Sequence, residues 1–188
     1  MSLSPTKYAI LETMLLLDKP ARATNIAKKT GKEFPSVMMH IIGLTRMGYT
    51  KSPEKGQYMI TEKGKKALGI PEINRENAKT ILADVSNDKL FHFYADIGKP
   101  LNLQVHSLQD FRDKILKVDA NSIDFHMNRG DFEAWFACLG DMELAKKTAL
   151  LKEKKVAGEE LRSILHDIVE NRCVALARVV AEPPALPE

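Results

Sequence analysis

The sequence predicts a mainly α protein with a small amount of β structure, divided into two domains. Over most of the chain, apolar residues recur at the three- and four-residue spacing of a buried helix face, as they do between Ile10 and Leu17. Two shorter stretches instead show strand, turn and strand signals, which are typical of β-hairpins. Pro71 disfavours helix at the residue before it. We therefore expect an N-terminal domain over residues 1–69, a connector over 70–87 and a C-terminal domain over 88–181.

Three helices are expected in the first 47 residues. The first covers residues 6–17 and ends at Lys19-Pro20. The second covers residues 24–30, and Gly31 supplies its left-handed stop. The third covers residues 35–47, with Pro35 at its first position, and its spacing buries Val37, Ile41 and Leu44.

A β-hairpin and a short helix follow the third helix. Residues 49–52 and 57–60 are β-prone, and Pro53 and Gly56 mark a turn between them that carries Lys55. Thr61 is a suitable N-cap for a helix over residues 62–68. The N-terminal domain thus reads as three helices, a hairpin and a closing helix.

The positive charge of the chain is concentrated in this domain. Residues 1–70 contain 12 Lys and Arg against 5 Asp and Glu, whereas residues 71–188 contain 16 against 20. Because cations near phosphates release condensed counterions, a polyanion such as nucleic acid is the natural partner of the first part.

The order of these elements resembles the winged helix-turn-helix regulators of prokaryotes, of the MarR-like and related archaeal types. The resemblance rests on residues 27–31, 44–49 and 60–68, and residues 60–64 are its most specific part. It implies binding of double-stranded DNA through the third helix and the hairpin, called the wing, by the following residues: Lys28, Ser36, Met38, Met39, His40, Arg46, Lys51, Lys55, Lys63 and Lys65.

The expected groove-facing side of the third helix departs from the family pattern, because it has few hydrogen-bond donors. Met38, Met39 and Ile42 can read only thymine methyl groups or DNA shape. The alternative is that these side chains cover a neighbouring helix or dock onto a protein of the transcription machinery, since methionine suits adaptable contacts.

The C-terminal domain is predicted to be α+β and mostly helical. A connector helix is expected over residues 75–84, followed by a β-hairpin formed by residues 90–94 and 101–105. Four helices are then expected, over residues 108–118, 123–139, 142–155 and 159–180. The tail, residues 182–188, is expected to be extended or disordered.

Residues 122–135 and 139–145, with the hairpin before them, resemble a domain family of unknown function found mainly in archaea. The resemblance covers residues 88–150 and implies an architecture without an activity. Within it, His126 and Arg129 are helical neighbours that can meet an anion, and Asp131 can orient one of them. The alternative is that these polar groups hold the helix to the hairpin while Phe125, Phe132, Trp135 and Phe136 form the core.

The sequence also excludes several classes of function. It contains no glycine-rich phosphate loop, nucleophile elbow or metalloprotease motif, so we expect no enzyme activity, no cofactor and no metal site. No apolar run is long enough to span a membrane, and the N-terminus lacks the pattern of a signal peptide. Cys138 and Cys173 are expected to be buried free thiols of a cytoplasmic protein.

The last helix carries a broad apolar stripe, from Leu161 to Val179, that serves either as a homodimer interface or as packing within its own domain. The sequence thus favours a dimeric DNA-binding transcriptional regulator whose C-terminal domain supplies dimerisation or senses a small effector. The alternatives are a protein-interaction module and a sensor of a small ligand or anion.

Overall fold

A computed structural model describes residues 3–182 of the chain. These residues are mainly helical and include two small antiparallel sheets, in agreement with the predicted fold class. They divide into two compact units between Glu72 and Ile73, called here the N-terminal and C-terminal units. Of the tail predicted to be extended or disordered, all but Glu182 lies outside the described residues.

The three predicted helices of the N-terminal unit are present. They are α1 (Pro5–Leu17), α2 (Ala23–Thr30) and α3 (Phe34–Arg46), each within about two residues of its expected bounds. Gly31 ends α2 in the left-handed conformation, with a φ of 63°, as the sequence suggests. Their apolar faces form one core, in which the following side chains are fully buried: Ile10, Leu11, Ile26, Val37, Ile41 and Leu44.

A three-stranded sheet lies beside these helices. The predicted hairpin is formed by β2 (Thr50–Glu54) and β3 (Gln57–Ile60), and β3 also pairs with a two-residue strand, β1 (Ala21–Arg22). No pattern in the sequence predicted β1. Two residues between Pro20 and a helix are too short to show an alternating pattern, and their pairing depends on β3 being nearby.

The closing helix α4 (Glu62–Ala67) approaches the hairpin very closely. The Thr61 hydroxyl accepts the Gly64 N–H at 3.2 Å, as expected of an N-cap, and donates to the Gly48 carbonyl at 2.6 Å. At Gly64 a Cβ atom would clash with the Tyr49 carbonyl and the Ile60 side chain. Glycine is therefore required at this position by space rather than by its backbone angles.

The expected connector helix belongs to the C-terminal unit. It forms α5 (Arg75–Leu82), which packs against the last helix, α10 (Gly158–Ala181), and buries Ala78 and Ile81. The prediction of a separate connector over residues 70–87 is corrected accordingly, because the apolar face of α5 is part of this unit's core.

The rest of the C-terminal unit is a hairpin surrounded by helices. The hairpin consists of β4 (Phe91–Asp96) and β5 (Lys99–Val105), and the helices that follow are α6 (Leu108–Ile115), α7 (Ala120–Arg129), α8 (Asp131–Cys138) and α9 (Met142–Glu153). The single helix predicted over residues 123–139 is wrong. Gly130 has a φ of 79° and ends α7 before α8 begins, so the chain turns within the predicted helix.

Aromatic side chains from the hairpin and from α6 and α8 form the core of this unit. Phe91, Phe93 and Phe111 pack together with ring centroids 5.1 to 6.2 Å apart. Phe132, Trp135 and Phe136 are buried beside them, as predicted, but Phe125 is only half-buried. Phe125 instead lies under the Arg129 guanidinium, 5.2 Å away.

The apolar stripe of α10 packs within its own unit. Leu161, Leu165, Ile168, Val169 and Leu176 are buried, and α10 contacts α5, α6, α7 and α9. Of the two predicted roles of this stripe, packing within the domain is therefore the one observed. Ile164 and Val179, the other two members of the predicted stripe, are half-buried, and Val174 is 41% exposed, so homodimerisation stays a prediction.

Cys173 is buried and Cys138 is exposed, and both are free thiols. The prediction that both are buried is thus wrong for Cys138, which lies at the end of α8. Burial raises the pKa of Cys173 to about 11. Among residues 3–182, no helix has the length and apolar character needed to cross a bilayer.

Candidate functional site

The outward side of α3 is the first candidate surface. Because Val37, Ile41 and Leu44 anchor α3 in the core, the residues half a turn away point out of the unit. Met39 is 73% exposed and Ile42 is 38% exposed. Of the other residues predicted to face DNA, Ser36 and Arg46 are exposed, whereas Met38, His40 and Gly43 are half-buried.

Three of the five predicted lysines are available to an external partner. Lys28 near the end of α2, Lys51 on β2 and Lys55 at the hairpin turn are exposed. Within residues 3–182, none of these three ammonium groups is held by a hydrogen bond or an ion pair of the chain. Their charges can therefore meet an external anion without first losing an internal partner.

The other two lysines, Lys63 and Lys65, are already used within the unit. The Lys63 ammonium donates to the Met47 carbonyl at 2.8 Å and lies 5.1 Å from the Tyr49 ring centroid. It thereby satisfies a carbonyl at the C-terminal end of α3. Lys65 forms an ion pair with Glu62 at 3.0 Å, and its side chain is only 19% exposed.

The second candidate site is the chain of polar groups predicted at His126, Arg129 and Asp131, which the structure brings together. The His126 Nε2 atom accepts the backbone N–H of Tyr94 at 2.8 Å. The ring proton therefore belongs on Nδ1, which donates to Asp131 Oδ2 at 2.7 Å. The same carboxylate oxygen accepts the Arg129 Nε–H at 3.1 Å.

His126 holds α7 to the hairpin. Its side chain is 97% buried, and burial lowers its pKa below the ordinary value, a shift that the Asp131 carboxylate opposes. One turn earlier on α7, the Ser122 hydroxyl donates to the Tyr94 carbonyl at 2.7 Å. The predicted structural role is thus observed for His126, whereas Arg129 and Asp131 contact the hairpin through no hydrogen bond among the described residues. His126 and Ser122, which was not predicted, together bond the N–H and the carbonyl of Tyr94.

A groove opens beside this polar chain. It has a volume of about 430 Å³, and its lining includes Tyr94, Ile97, Phe125 and Arg129. The Arg129 Nε atom is committed to Asp131, but its two terminal nitrogens make no hydrogen bond with any described residue. The groove therefore combines apolar walls with a guanidinium group that is fixed in place and still able to donate.

A cluster of buried charges, formed by Asp141, Glu143, Lys147 and Arg172, was not predicted. Arg172 donates to Asp141 Oδ2 at 2.7 Å and to Glu143 Oε2 at 2.8 Å, and Lys147 pairs with Glu143 Oε1 at 2.9 Å. All four side chains are at most 6% exposed. The i,i+4 spacing of Glu143 and Lys147 is a sequence signal for an ion pair, but that spacing is ordinary on solvated helices and carries no information about burial.

Two observations concern metal binding and proton transfer at these sites. Across residues 3–182, no three histidine, cysteine, aspartate or glutamate side chains converge as a metal ion requires. The buried His126 uses both ring nitrogens within the fold, so it has no free atom with which to accept a substrate proton. The accessible cations of the two candidate sites are Lys28, Lys51, Lys55, Arg46 and Arg129, and the exposed His92 and Asp96 line the groove beside Arg129.

Comparison with known proteins adds no family to this description. No family model matches the chain, and no significant similarity is found to a curated protein or to a solved structure.

Proposed function

We propose that the N-terminal unit is a winged helix-turn-helix that binds double-stranded DNA and that the protein regulates transcription. The observation that carries the proposal is the combination of an uncovered α3 face with the unpaired lysines of the adjoining hairpin. In proteins of this class, the second helix of the helix-turn-helix lies in a major groove about 12 Å wide and flanking elements contact the phosphates.

The charges of the unit support this proposal. The excess of cations over carboxylates in residues 1–70 attracts a polyanion at long range. Lys51 lies on β2 and Lys55 lies at the turn of the hairpin, whereas Lys28 lies near the end of α2. Contacts of these lysines with phosphates would hold the unit against the duplex backbone.

A salt series with a labelled duplex tests the proposal. We expect the double variant Lys51→Gln/Lys55→Gln to bind about tenfold more weakly at about 150 mM salt, because two phosphate contacts are lost. The slope of log K against log salt concentration should become shallower by about 2. Fluorescence anisotropy measures both quantities.

The matched control is Lys117→Gln/Lys154→Gln, which removes two exposed lysines of the C-terminal unit and leaves the affinity unchanged under the proposal. Equal affinity and equal slope for the wild type and Lys51→Gln/Lys55→Gln would contradict it. Lys63 and Lys65 are unsuitable for this test, because their internal contacts make a loss of binding ambiguous.

A second function, recognition of a small organic anion by the C-terminal unit, is favoured by the groove beside Arg129. A volume of about 430 Å³ lies within the range of small-molecule sites. Two carboxylates also line the groove, but Asp96 accepts the Ile97 N–H at 2.7 Å and Asp131 accepts from His126 and Arg129. Arg129 is the one lysine or arginine among the described residues that line the groove, and its terminal nitrogens can donate to a carboxylate with an apolar body; His92 and Tyr94 also line the groove.

Calorimetric titration with benzoate and with uncharged benzamide tests this second function. We expect benzoate to bind more tightly than benzamide and the preference to disappear in Arg129→Gln. Arg178→Gln, an exposed arginine of α10, should retain the preference. Absence of benzoate binding to the wild type, or an unchanged preference in Arg129→Gln, would count against it.

A further inference from the structure

Between Ser36 and Arg46, the outward face of α3 carries no exposed polar side chain, and His40 beside it is half-buried. Between its first and last turns, the exposed large side chains are Met39 and Ile42, with Gly43 beside them. Arg46 lies one turn beyond Ile42, and Ser36 lies one turn before Met39. A Cβ atom at Gly43 would have no neighbour within 4 Å, so the middle of this face is both open and apolar.

The chemistry of the major groove restricts what such a face can recognise. Guanine, cytosine and adenine present hydrogen-bonding groups on their major-groove edges, and thymine alone among the four bases also presents an apolar group, its C5 methyl. Methionine and isoleucine side chains cannot satisfy the former but gain by covering the latter. The composition of the face thus selects for methyl groups.

Resting on the DNA binding proposed above, we infer that Met39 and Ile42 contact C5 methyl groups of pyrimidines in the major groove. The protein then prefers duplexes rich in thymine, and it distinguishes a base by its methyl group rather than by its hydrogen bonds. Cytosine methylated at C5 carries the same group at the same position of the pyrimidine ring and is recognised by the same side chains.

Replacing thymine by deoxyuridine isolates the methyl group, because the hydrogen bonds and the backbone charge of the duplex are retained. We expect an A·T-rich duplex to bind about fourfold more weakly for each contacted methyl that is removed. The salt dependence should stay the same, since the phosphate contacts remain. Competition anisotropy with matched thymine and deoxyuridine duplexes measures the ratio.

A second pair of duplexes controls for recognition of the groove shape of A·T-rich DNA. A G·C duplex containing 5-methylcytosine should bind more tightly than the same duplex with unmodified cytosine. A gain in both pairs of duplexes supports methyl recognition, because the two sequences differ in groove shape and share only the added methyl. Equal affinity within either pair overturns it.

The variants Met39→Ala and Ile42→Ala assign the effect to α3. Both side chains are exposed, so the fold should be retained, and circular dichroism checks this. Each variant should reduce the discrimination between thymine and deoxyuridine, and the double variant Met39→Ala/Ile42→Ala should abolish it. Tyr8→Ala removes another large apolar side chain, 38% exposed on α1, and should keep the discrimination of the wild type.

The outcomes separate this inference from the function on which it rests. No binding of any duplex at low salt overturns the proposed function. Binding of thymine and deoxyuridine duplexes with equal affinity leaves that function intact and overturns the methyl contact. If the double variant Met39→Ala/Ile42→Ala still discriminates fully between thymine and deoxyuridine, the methyl contact is also overturned. The apolar face is then left as a surface for a protein partner.

Discussion

One set of charges in each unit shows a contrast in burial. In the N-terminal unit, Lys28, Lys51 and Lys55 are exposed and unpaired, and Met39 of the same unit is an exposed apolar side chain. In the C-terminal unit, Asp141, Glu143, Lys147 and Arg172 are enclosed by the fold. Charges left in solvent can meet a partner, whereas buried charges must be satisfied by one another. Under the proposed function the first set serves recognition, whereas the second set serves the internal order of the fold.

The largest effect expected from this comparison is that of Arg172→Met. The change keeps much of the apolar stem but leaves Asp141 and Glu143 without their arginine partner, and breaking a buried ion pair costs about 3–5 kcal/mol. Trp135 is the sole tryptophan of the chain and lies in the C-terminal unit, so its fluorescence during urea unfolding reports the loss.

The control for Arg172→Met lies on the same helix. Arg178 is exposed on α10, and Arg178→Met should change the free energy of unfolding by no more than about 0.5 kcal/mol. Similar values for the two variants would break the comparison, because burial would then make no difference to the energetic role of the charge.

His126→Ala should give the next largest effect. It leaves the Tyr94 N–H without its acceptor and removes the donor to Asp131, which we expect to lower the free energy of unfolding by about 2–3 kcal/mol. Urea unfolding followed by Trp135 fluorescence measures this loss. The control is His92→Ala. His92 is exposed on β4, the strand that carries Tyr94, and its replacement should have little effect on the free energy of unfolding.

The lowered pKa of His126 also predicts a dependence on pH. The unfolded chain takes up the imidazole proton near pH 6.5, before the native state does. The stabilisation from neutral His126 is therefore complete above that pH and is lost as the pH falls through the lower native pKa. The difference in stability between the wild type and His126→Ala should shrink on acidification, and a constant difference from pH 7 to about pH 4 would contradict the assignment.

Two glycine substitutions give the smallest effects and have opposite signs. Gly64→Ala forces a Cβ atom against the Tyr49 carbonyl, and overpacking of this kind costs about 1–3 kcal/mol.

Gly43→Ala places its Cβ atom in open space inside α3 and should stabilise the helix by up to about 1 kcal/mol. Hydrogen exchange of amides in α3 and α4 measures both, and a stabilising Gly64→Ala would show that α4 can move away from the hairpin.

The sequence predicted the elements whose causes are local. The helix periods, Gly31, Thr61 and the turn of the β2–β3 hairpin carried enough information to place the N-terminal elements. It did not predict β1, because the pairing of Ala21 depends on a distant strand. The break at Gly130 did have a local signal, an isolated glycine, but the apolar period on either side of it favoured one continuous helix.

In the candidate sites too, features with local causes were predictable from the sequence and features that depend on tertiary packing were not. Exposure of Met39 and Ile42 followed from the spacing of the buried residues of α3. Burial of Lys147 and Arg172 did not, because a charged residue on a helix is ordinarily solvated and only the packing of α9 and α10 encloses it. The engagement of Lys63 with the Met47 carbonyl likewise depends on how α4 folds back, which the sequence alone does not specify.

The hydrogen bonds between α7 and Tyr94 also affect whether the β4–β5 sheet can pair edge to edge with another strand. An edge strand of a sheet has unpaired backbone N–H and C=O groups that can pair with a strand of another chain, and such pairing is a common route to aggregation. At Tyr94 the imidazole and the hydroxyl of α7 already occupy both peptide groups. Pro100 on β5 lacks an N–H, and Asn102 has a φ of 52°, which interrupts regular extended backbone. The sheet can thus remain two strands wide, because both of its borders resist the addition of another strand.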